Sequence, residues 1–151
     1  MSGTGFAVLN DMQTTMIANK RVLLAEDDRF LRRACETSLR ERGFTVATAA
    51  DGEEALRSAR AERPDLIVLD MLMPKLSGLD VLRAVRSDAS TRSVPVLMMC
   101  SSDSDQDMQA LARMGANGCL VKARLSLQEL GDHVSEHLGG PEMATQTRRV
   151  S

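Results

Sequence analysis

The 151-residue sequence has no long apolar run, no basic stripe and few cysteines. Its apolar stretches, such as residues 65–69, are far shorter than the roughly 20 residues that span a bilayer, which excludes a membrane-spanning protein. Charges of both signs are interspersed and sum to -2, which argues against direct nucleic-acid binding. The three cysteines are an odd number at scattered positions, which favours reduced thiols in the cytoplasm over disulfides or a zinc site.

Short runs rich in Val, Leu and Ile alternate with longer amphipathic segments. This alternation predicts an α/β fold in which helices cover both faces of a parallel sheet. The strand candidates are apolar almost throughout, as strands buried on both faces should be. They lie at residues 21–26, 45–49, 65–69, 94–99 and 118–121.

Capping and glycine signals mark the ends of the helices between these strands. Two pairs have the spacing of capping boxes, and three glycines stand where helices should end. The pairs are Asp51 with Glu54 and Ser126 with Glu129, and the glycines are Gly43, Gly115 and Gly139.

The hydrophobic content of 43% and the charged content of 26% are those of one globular core. We expect one domain over residues 20–138. Residues 1–19 show no sustained period and residues 139–151 are rich in Gly, Pro and polar side chains, so both are predicted to be tails. The second tail is too short for a helix-turn-helix or a catalytic output domain. The sequence therefore predicts a single domain, either a stand-alone protein or a fragment of a longer one, and no enzyme is expected.

Polar and reactive residues follow the predicted strands. In an open α/β sheet, function concentrates at the carboxyl ends of the strands. The first strand ends in acidic residues, the third in an aspartate, the fourth in a thiol and hydroxyl, and the fifth in a lysine. These residues are Glu26, Asp27, Asp28, Asp70, Cys100, Ser101 and Lys122. We expect them to meet at one edge of the sheet.

Carboxylates gathered at one edge repel one another, and a hard cation with oxygen ligands relieves that repulsion. Mg²⁺ fits best, because it uses few carboxylates and can also hold a phosphoryl oxygen. Asp70 is then the candidate nucleophile, and Lys122 can pair with the incoming phosphoryl group. Asp28 has an equally good alternative role as the cap of the following helix.

Four segments together give the sequence a family resemblance: RVLLAEDD, LIVLDMLMPKLSGLDVLRAVR, VPVLMMCSS and GANGCLVK. Over residues 20–138 the chain resembles the receiver domain of two-component response regulators, and LDMLMP followed by SGLD is the most specific match. The resemblance implies a flavodoxin-like strand order 2-1-3-4-5. It also implies that Asp70 is the phosphoacceptor, that Glu26 and Asp27 bind Mg²⁺ with the backbone carbonyl of Leu72, and that Lys122 is the family's lysine.

The implied partners are proteins. A histidine kinase or histidine phosphotransfer protein would supply the phosphoryl group to this cytoplasmic protein. A downstream protein would bind the face formed by the fourth helix, the fifth strand and the fifth helix. Neither DNA nor a membrane is expected as a partner.

Three positions depart from the family pattern. Cys100 stands where the family has a switch Thr or Ser, and Ser101 could replace it if the strand end is slipped by one residue. Cys119 stands where the family has a Tyr or Phe, and the chain contains no Tyr or Trp. Ala123 replaces a proline, so a trans peptide is expected after Lys122.

These departures leave a second function open, that of a receiver-like adaptor that binds a partner with little or no phosphorylation-dependent switching. Cys100 and Cys119 lie on predicted neighbouring strands, so a redox-sensitive bridge between them is conceivable. Buried, unpaired thiols are the more usual arrangement. A phosphatase with an aspartyl nucleophile would need a second Asp where this chain has Leu72, and the acidic loop after the first strand would repel a nucleotide or flavin phosphate.

Overall fold

The computed structural model describes residues 19–101 and 104–139. Within them, five parallel strands form one sheet in the order β2-β1-β3-β4-β5. The strands are β1 (Arg21–Ala25), β2 (Thr45–Ala49), β3 (Leu66–Asp70), β4 (Val96–Cys100) and β5 (Gly118–Val121). The helices are α1 (Arg29–Glu41), α2 (Gly52–Glu62), α3 (Gly78–Ser87), α4 (Asp105–Arg113) and α5 (Leu127–His137), and a 3-10 turn covers Lys122–Arg124. The predicted fold class and strand order are confirmed.

Five strand boundaries differ from the prediction by one or two residues: β1 ends at Ala25, β3 covers Leu66–Asp70 and β4 covers Val96–Cys100. β4 begins at Val96 and not at residue 94, because Pro95 has no N–H to donate to the ladder and only its carbonyl takes part, accepting from the Ile67 amide at 2.9 Å. β3 ends at Asp70 and not one residue earlier, because Asp70 is still in register with Met99. The candidate nucleophile is therefore the last residue of a fully buried strand.

The core lies on both faces of the sheet. Leu23 and Ala25 of β1 belong to one buried cluster, together with residues of α2, α3 and α4. Val22 and Leu24 belong to a second cluster, together with residues of α1 and α5. This alternation follows from the two-residue period of a strand. It explains why the strands are apolar at nearly every position, as the sequence predicted.

The predicted helix ends are largely confirmed. Ser126 and Glu129 form a complete capping box at the start of α5. Asp51 caps α2 by accepting from the Glu54 amide, but the Glu54 carboxylate accepts from the amide of Ala50 and not from that of Asp51. The three predicted terminal glycines have φ values near 100°, which glycine tolerates best. They are Gly43, Gly115 and Gly139.

Asp28 caps α1, since its side chain accepts from the Leu31 amide at 3.0 Å. A further capping box, Ser77 with Asp80 at the start of α3, was not predicted. No helix in residues 19–101 or 104–139 is long and apolar enough to cross a membrane. Apart from residues 19 and 139, the two predicted tails lie outside the described residues, so their boundaries stay a prediction.

Candidate functional site

Three acidic side chains meet at the carboxyl end of the sheet. Glu26 follows β1, and its amide extends the pairing with β2 by donating to the Ala49 carbonyl at 3.0 Å. Asp70 ends β3, the neighbour of β1. One carboxylate oxygen from each of Glu26, Asp27 and Asp70 lies within 4.8 Å of the others. The predicted convergence of these three residues is present in the structure.

The Lys122 side chain reaches the same acidic group, although β5 lies two strands away from β3 in the sheet. Lys122 begins the 3-10 turn after β5, and β4 lies between β5 and β3. Its Nζ lies 3.1 Å from Glu26 Oε1 and 3.2 Å from Asp70 Oδ2. The long side chain therefore crosses the end of β4 and places one positive charge between two buried carboxylates.

The Asp70 carboxylate is fixed on both sides. Oδ1 accepts a hydrogen bond from the Leu72 amide at 3.2 Å, and Oδ2 faces Lys122. The loop after Asp70 is closed by the Gly78 amide, which donates to the Met71 carbonyl at 2.9 Å. Leu72 thus orients Asp70 through its amide, while the predicted role of its carbonyl as a metal ligand stays a prediction.

Glu26 is fully buried, which is unusual for a carboxylate. The pKa of Glu26 is raised to about 7, chiefly by burial and also by the negative charge of Asp70, against the lowering effects of the Asp28 amide and Lys122. Burial lowers the pKa of Lys122, but the hydrogen bond and charge of Glu26 and the charge of Asp70 outweigh it, so this pKa is raised. The Lys122 ammonium therefore does not offset the burial of the Glu26 carboxylate.

The donor set fits a magnesium ion. Glu26 Oε1 is buried and accepts no hydrogen bond from any residue that the structure describes, although Lys122 Nζ lies close to it. Asp27 is exposed, so the group opens to solvent on one side. Mg²⁺ takes oxygen ligands at about 2.1 Å and keeps several waters, so few carboxylates open to solvent suffice. Three carboxylate oxygens within 4.8 Å of one another are close enough to share one ion.

Arg32 is a residue of this site that the sequence argument missed. Its guanidinium donates to the carbonyl oxygens of Glu26 at 2.9 Å and Asp27 at 3.3 Å. Arg32 therefore ties the acidic loop to the first turn of α1. The position of Arg32 in the sequence could have revealed this contact. Asp28 caps the helix, and Arg32, four residues after that cap, lies above the acidic loop.

Cys100 and Cys119 are joined as a disulfide in the structure. The prediction of reduced thiols is thus wrong for this pair, while Cys35 is free and buried. Cys100 ends β4 and Cys119 lies in the middle of β5, so adjacent strands bring them together. Ser101 is exposed directly after β4, and its predicted substitution for Cys100 stays a prediction. The peptide between Lys122 and Ala123 is trans, as predicted.

The comparisons with known proteins agree with this geometry. The family model for the response regulator receiver domain matches residues 22–135. The transcriptional regulatory protein PrrA of Mycobacterium tuberculosis is 45% identical over 108 residues, which cover 72% of this chain and 46% of that protein. The alkaline phosphatase synthesis transcriptional regulatory protein PhoP of Bacillus subtilis is 35% identical over 132 residues, covering 87% of this chain and 54% of that protein.

Solved structures share the fold. The chemotaxis response regulator CheY4 of Vibrio cholerae has a TM-score of 0.74 at 32% identity, covering 78% of this chain and 98% of that one. The receiver domain of the sensor histidine kinase PA1611 from Pseudomonas aeruginosa has a TM-score of 0.73 at 30% identity, covering 81% and 99%. That structure has a magnesium ion coordinated in its active-site cleft.

The chain belongs to the family of response regulator receiver domains. It spans about half the length of the curated relatives that it matches.

Proposed function

We propose that Asp70 accepts a phosphoryl group from a histidine kinase or a histidine phosphotransfer protein, with Mg²⁺ held by Glu26, Asp27 and Asp70. The observation that carries this proposal is the placement of the Asp70 carboxylate. It is fixed by the Leu72 amide and Lys122, and it stands beside two further carboxylates. An acceptor in this position needs no general base, because a carboxylate is already an oxygen nucleophile.

The transfer consists of one displacement at phosphorus. An oxygen of Asp70 forms a bond to phosphorus while the N–P bond of the donor phosphohistidine breaks, and the histidine nitrogen keeps the electron pair and takes up a proton. When bound, Mg²⁺ supplies positive charge to the phosphoryl oxygens. Lys122 supplies a second positive charge at the same edge of the sheet, and the Leu72 amide keeps Asp70 oriented. Hydrolysis of the resulting acyl phosphate by water returns Asp70 to its free form.

In this proposal the domain receives the phosphoryl group and passes a signal by binding a protein, and it is not an enzyme that acts on other substrates. We assign the downstream contact to the face formed by α4, β5 and α5. Mixed surface charge favours a protein partner in the cytoplasm over DNA. The curated relatives are named transcriptional regulators, but this chain matches only about half of each.

A second candidate function is supported by one feature. At positions 100 and 119 this chain has a disulfide in place of the hydroxyl and aromatic side chains that are usual in the family. A cross-linked pair cannot change rotamer as two separate side chains can. An adaptor that binds a partner with little dependence on phosphorylation is therefore the alternative.

Acetyl phosphate tests whether the site accepts a phosphoryl group. We expect intact-mass spectrometry to show one added phosphoryl group when Mg²⁺ is present and almost none with a chelator. The adduct should be removed by hydroxylamine, which cleaves acyl phosphates and leaves phosphoserine intact. A phosphoryl adduct that forms equally well with the chelator, or that resists hydroxylamine, would contradict the proposal.

A further inference from the structure

The two linked cysteines join the edge strand β5 to its neighbour β4. Cys100 is in register with Val121, and Cys119 with Met98, so the two cysteines are diagonal neighbours on the same face of adjacent strands. Their Cα atoms are 6.4 Å apart, within the range of about 4.4–6.8 Å that disulfides span. β5 is an edge strand of four residues that pairs only with β4 within the described chain. The disulfide is therefore a second link holding β5 in place.

The two linked cysteines differ in their exposure to solvent. Cys100 is only 2% exposed and packs within the cluster under α2, α3 and α4. Cys119 is half-buried and packs against the same cluster from the edge strand. Cys119 is therefore the more accessible of the two cysteines to a small thiol in solution.

We propose that Cys100 and Cys119 are a reversible redox site, opened by small thiols of the glutathione class through attack on Cys119, and that its state sets how firmly β5 is held. This site is separate from the acidic group of Glu26, Asp27 and Asp70. The proposal does not depend on phosphorylation of Asp70.

Reduction takes two thiols. The first thiolate attacks Cys119 Sγ, the protein S–S bond breaks, and Cys100 Sγ leaves with the electron pair and takes up a proton. A second thiolate attacks the small-thiol sulfur of the mixed disulfide and releases Cys119 as a thiolate. The protein gains two electrons and the two small thiols are oxidised to their disulfide. The reverse sequence, with the small disulfide as oxidant, closes the bond.

The structural consequence concerns Lys122. It directly follows β5, and its ammonium group reaches Glu26 and Asp70 at the other end of its side chain. With the disulfide closed, the backbone at Lys122 is held both by the β4 ladder and by the covalent link. After reduction only the ladder holds it. We therefore expect β5 to open more often in the reduced protein, in the manner of local unfolding at a sheet edge.

Thiol labelling tests the redox site itself. The full chain is equilibrated with reduced or oxidised glutathione, alkylated in the folded state, and mapped by peptide mass spectrometry. We expect Cys119 to be alkylated only after reduction, while Cys35, which is buried, remains unlabelled in both states and serves as the internal control. If Cys119 is alkylated equally after both treatments, or in neither, the pair is not a redox site and the proposal is overturned.

Hydrogen exchange tests the effect on β5. Amides of residues 118–121 should exchange about tenfold faster after reduction, whereas those of β1 should not change, because β1 is paired on both sides. The Cys119→Ser variant should show the faster exchange under both glutathione conditions. Equal exchange in oxidised and reduced wild type would overturn the proposed control of β5. Neither readout uses a phosphoryl donor, so failure here is distinguishable from failure of the proposed function.

Discussion

Replacing Asp70 with Asn is expected to abolish the phosphoryl adduct formed with acetyl phosphate. An amide oxygen is a far weaker nucleophile than a carboxylate, so no acyl phosphate can form at this position. The fold should survive, because the Asn oxygen can still accept from the Leu72 amide, and one of the crowded negative charges is removed. Intact-mass spectrometry with Mg²⁺ measures the adduct, and circular dichroism checks that the variant is folded.

The matched control for this substitution lies at the opposite end of the same strand. Asp65 directly precedes β3, and its carboxylate accepts from the Arg21 amide at 2.8 Å, a hydrogen bond that an Asn oxygen can keep. Asp65→Asn should form the adduct as wild type does. An adduct of unchanged yield in folded Asp70→Asn would show that another residue accepts the phosphoryl group.

Replacing Gly78 with Ala should destabilise the protein by about 3 kcal/mol, the upper end of the usual cost of overpacking. A Cβ atom at this position would overlap the carbonyl oxygen of Asp70 and crowd the Cα of Met71. Both are backbone atoms at the end of a buried strand, so they cannot move away without displacing the site. The gain in helix propensity from Gly to Ala, about 1 kcal/mol, is too small to compensate. Urea unfolding measures the difference.

Gly131→Ala is the matched control in another helix. Gly131 is also buried in a helix, but the three atoms nearest to a Cβ there belong to the guanidinium end of Arg42. That side chain can rotate away, at the loss of its weak surface ion pair with Asp132 and of its hydrogen bond to the Gln128 carbonyl. We expect a change within about 1 kcal/mol, since helix propensity offsets part of the loss. A loss as large as that of Gly78→Ala would contradict this explanation.

The sequence predicted the sheet and most of the site because both depend on simple periodicity. Buried parallel strands are apolar at every position, so the residue that ends an apolar run marks the carboxyl edge. This rule alone locates Glu26, Asp27 and Asp70. Lys122 was found in the same way, although its contact with Glu26 depends on a side chain long enough to cross the end of β4.

Other features depend on three-dimensional contacts that carry no periodic signal. Arg32 acts through backbone carbonyls, which look the same in every residue, so the sequence does not show which carbonyls it binds. The bridge between Cys100 and Cys119 depends on register, and a slip of one residue would turn one thiol to the opposite face. The start of β4 was misplaced because the apolar run includes Pro95, which cannot donate to the ladder.

Magnesium binding tests the central claim most directly, and neighbouring aspartates allow a sharp comparison. Asp27 belongs to the acidic group, whereas Asp28 caps α1, a role that Asn fills equally well. In isothermal titration calorimetry at neutral pH, Asp28→Asn should bind Mg²⁺ as wild type does, and Asp27→Asn should bind it at least about tenfold more weakly. Equal Mg²⁺ affinity in Asp27→Asn and wild type, or no binding in wild type, would contradict the account.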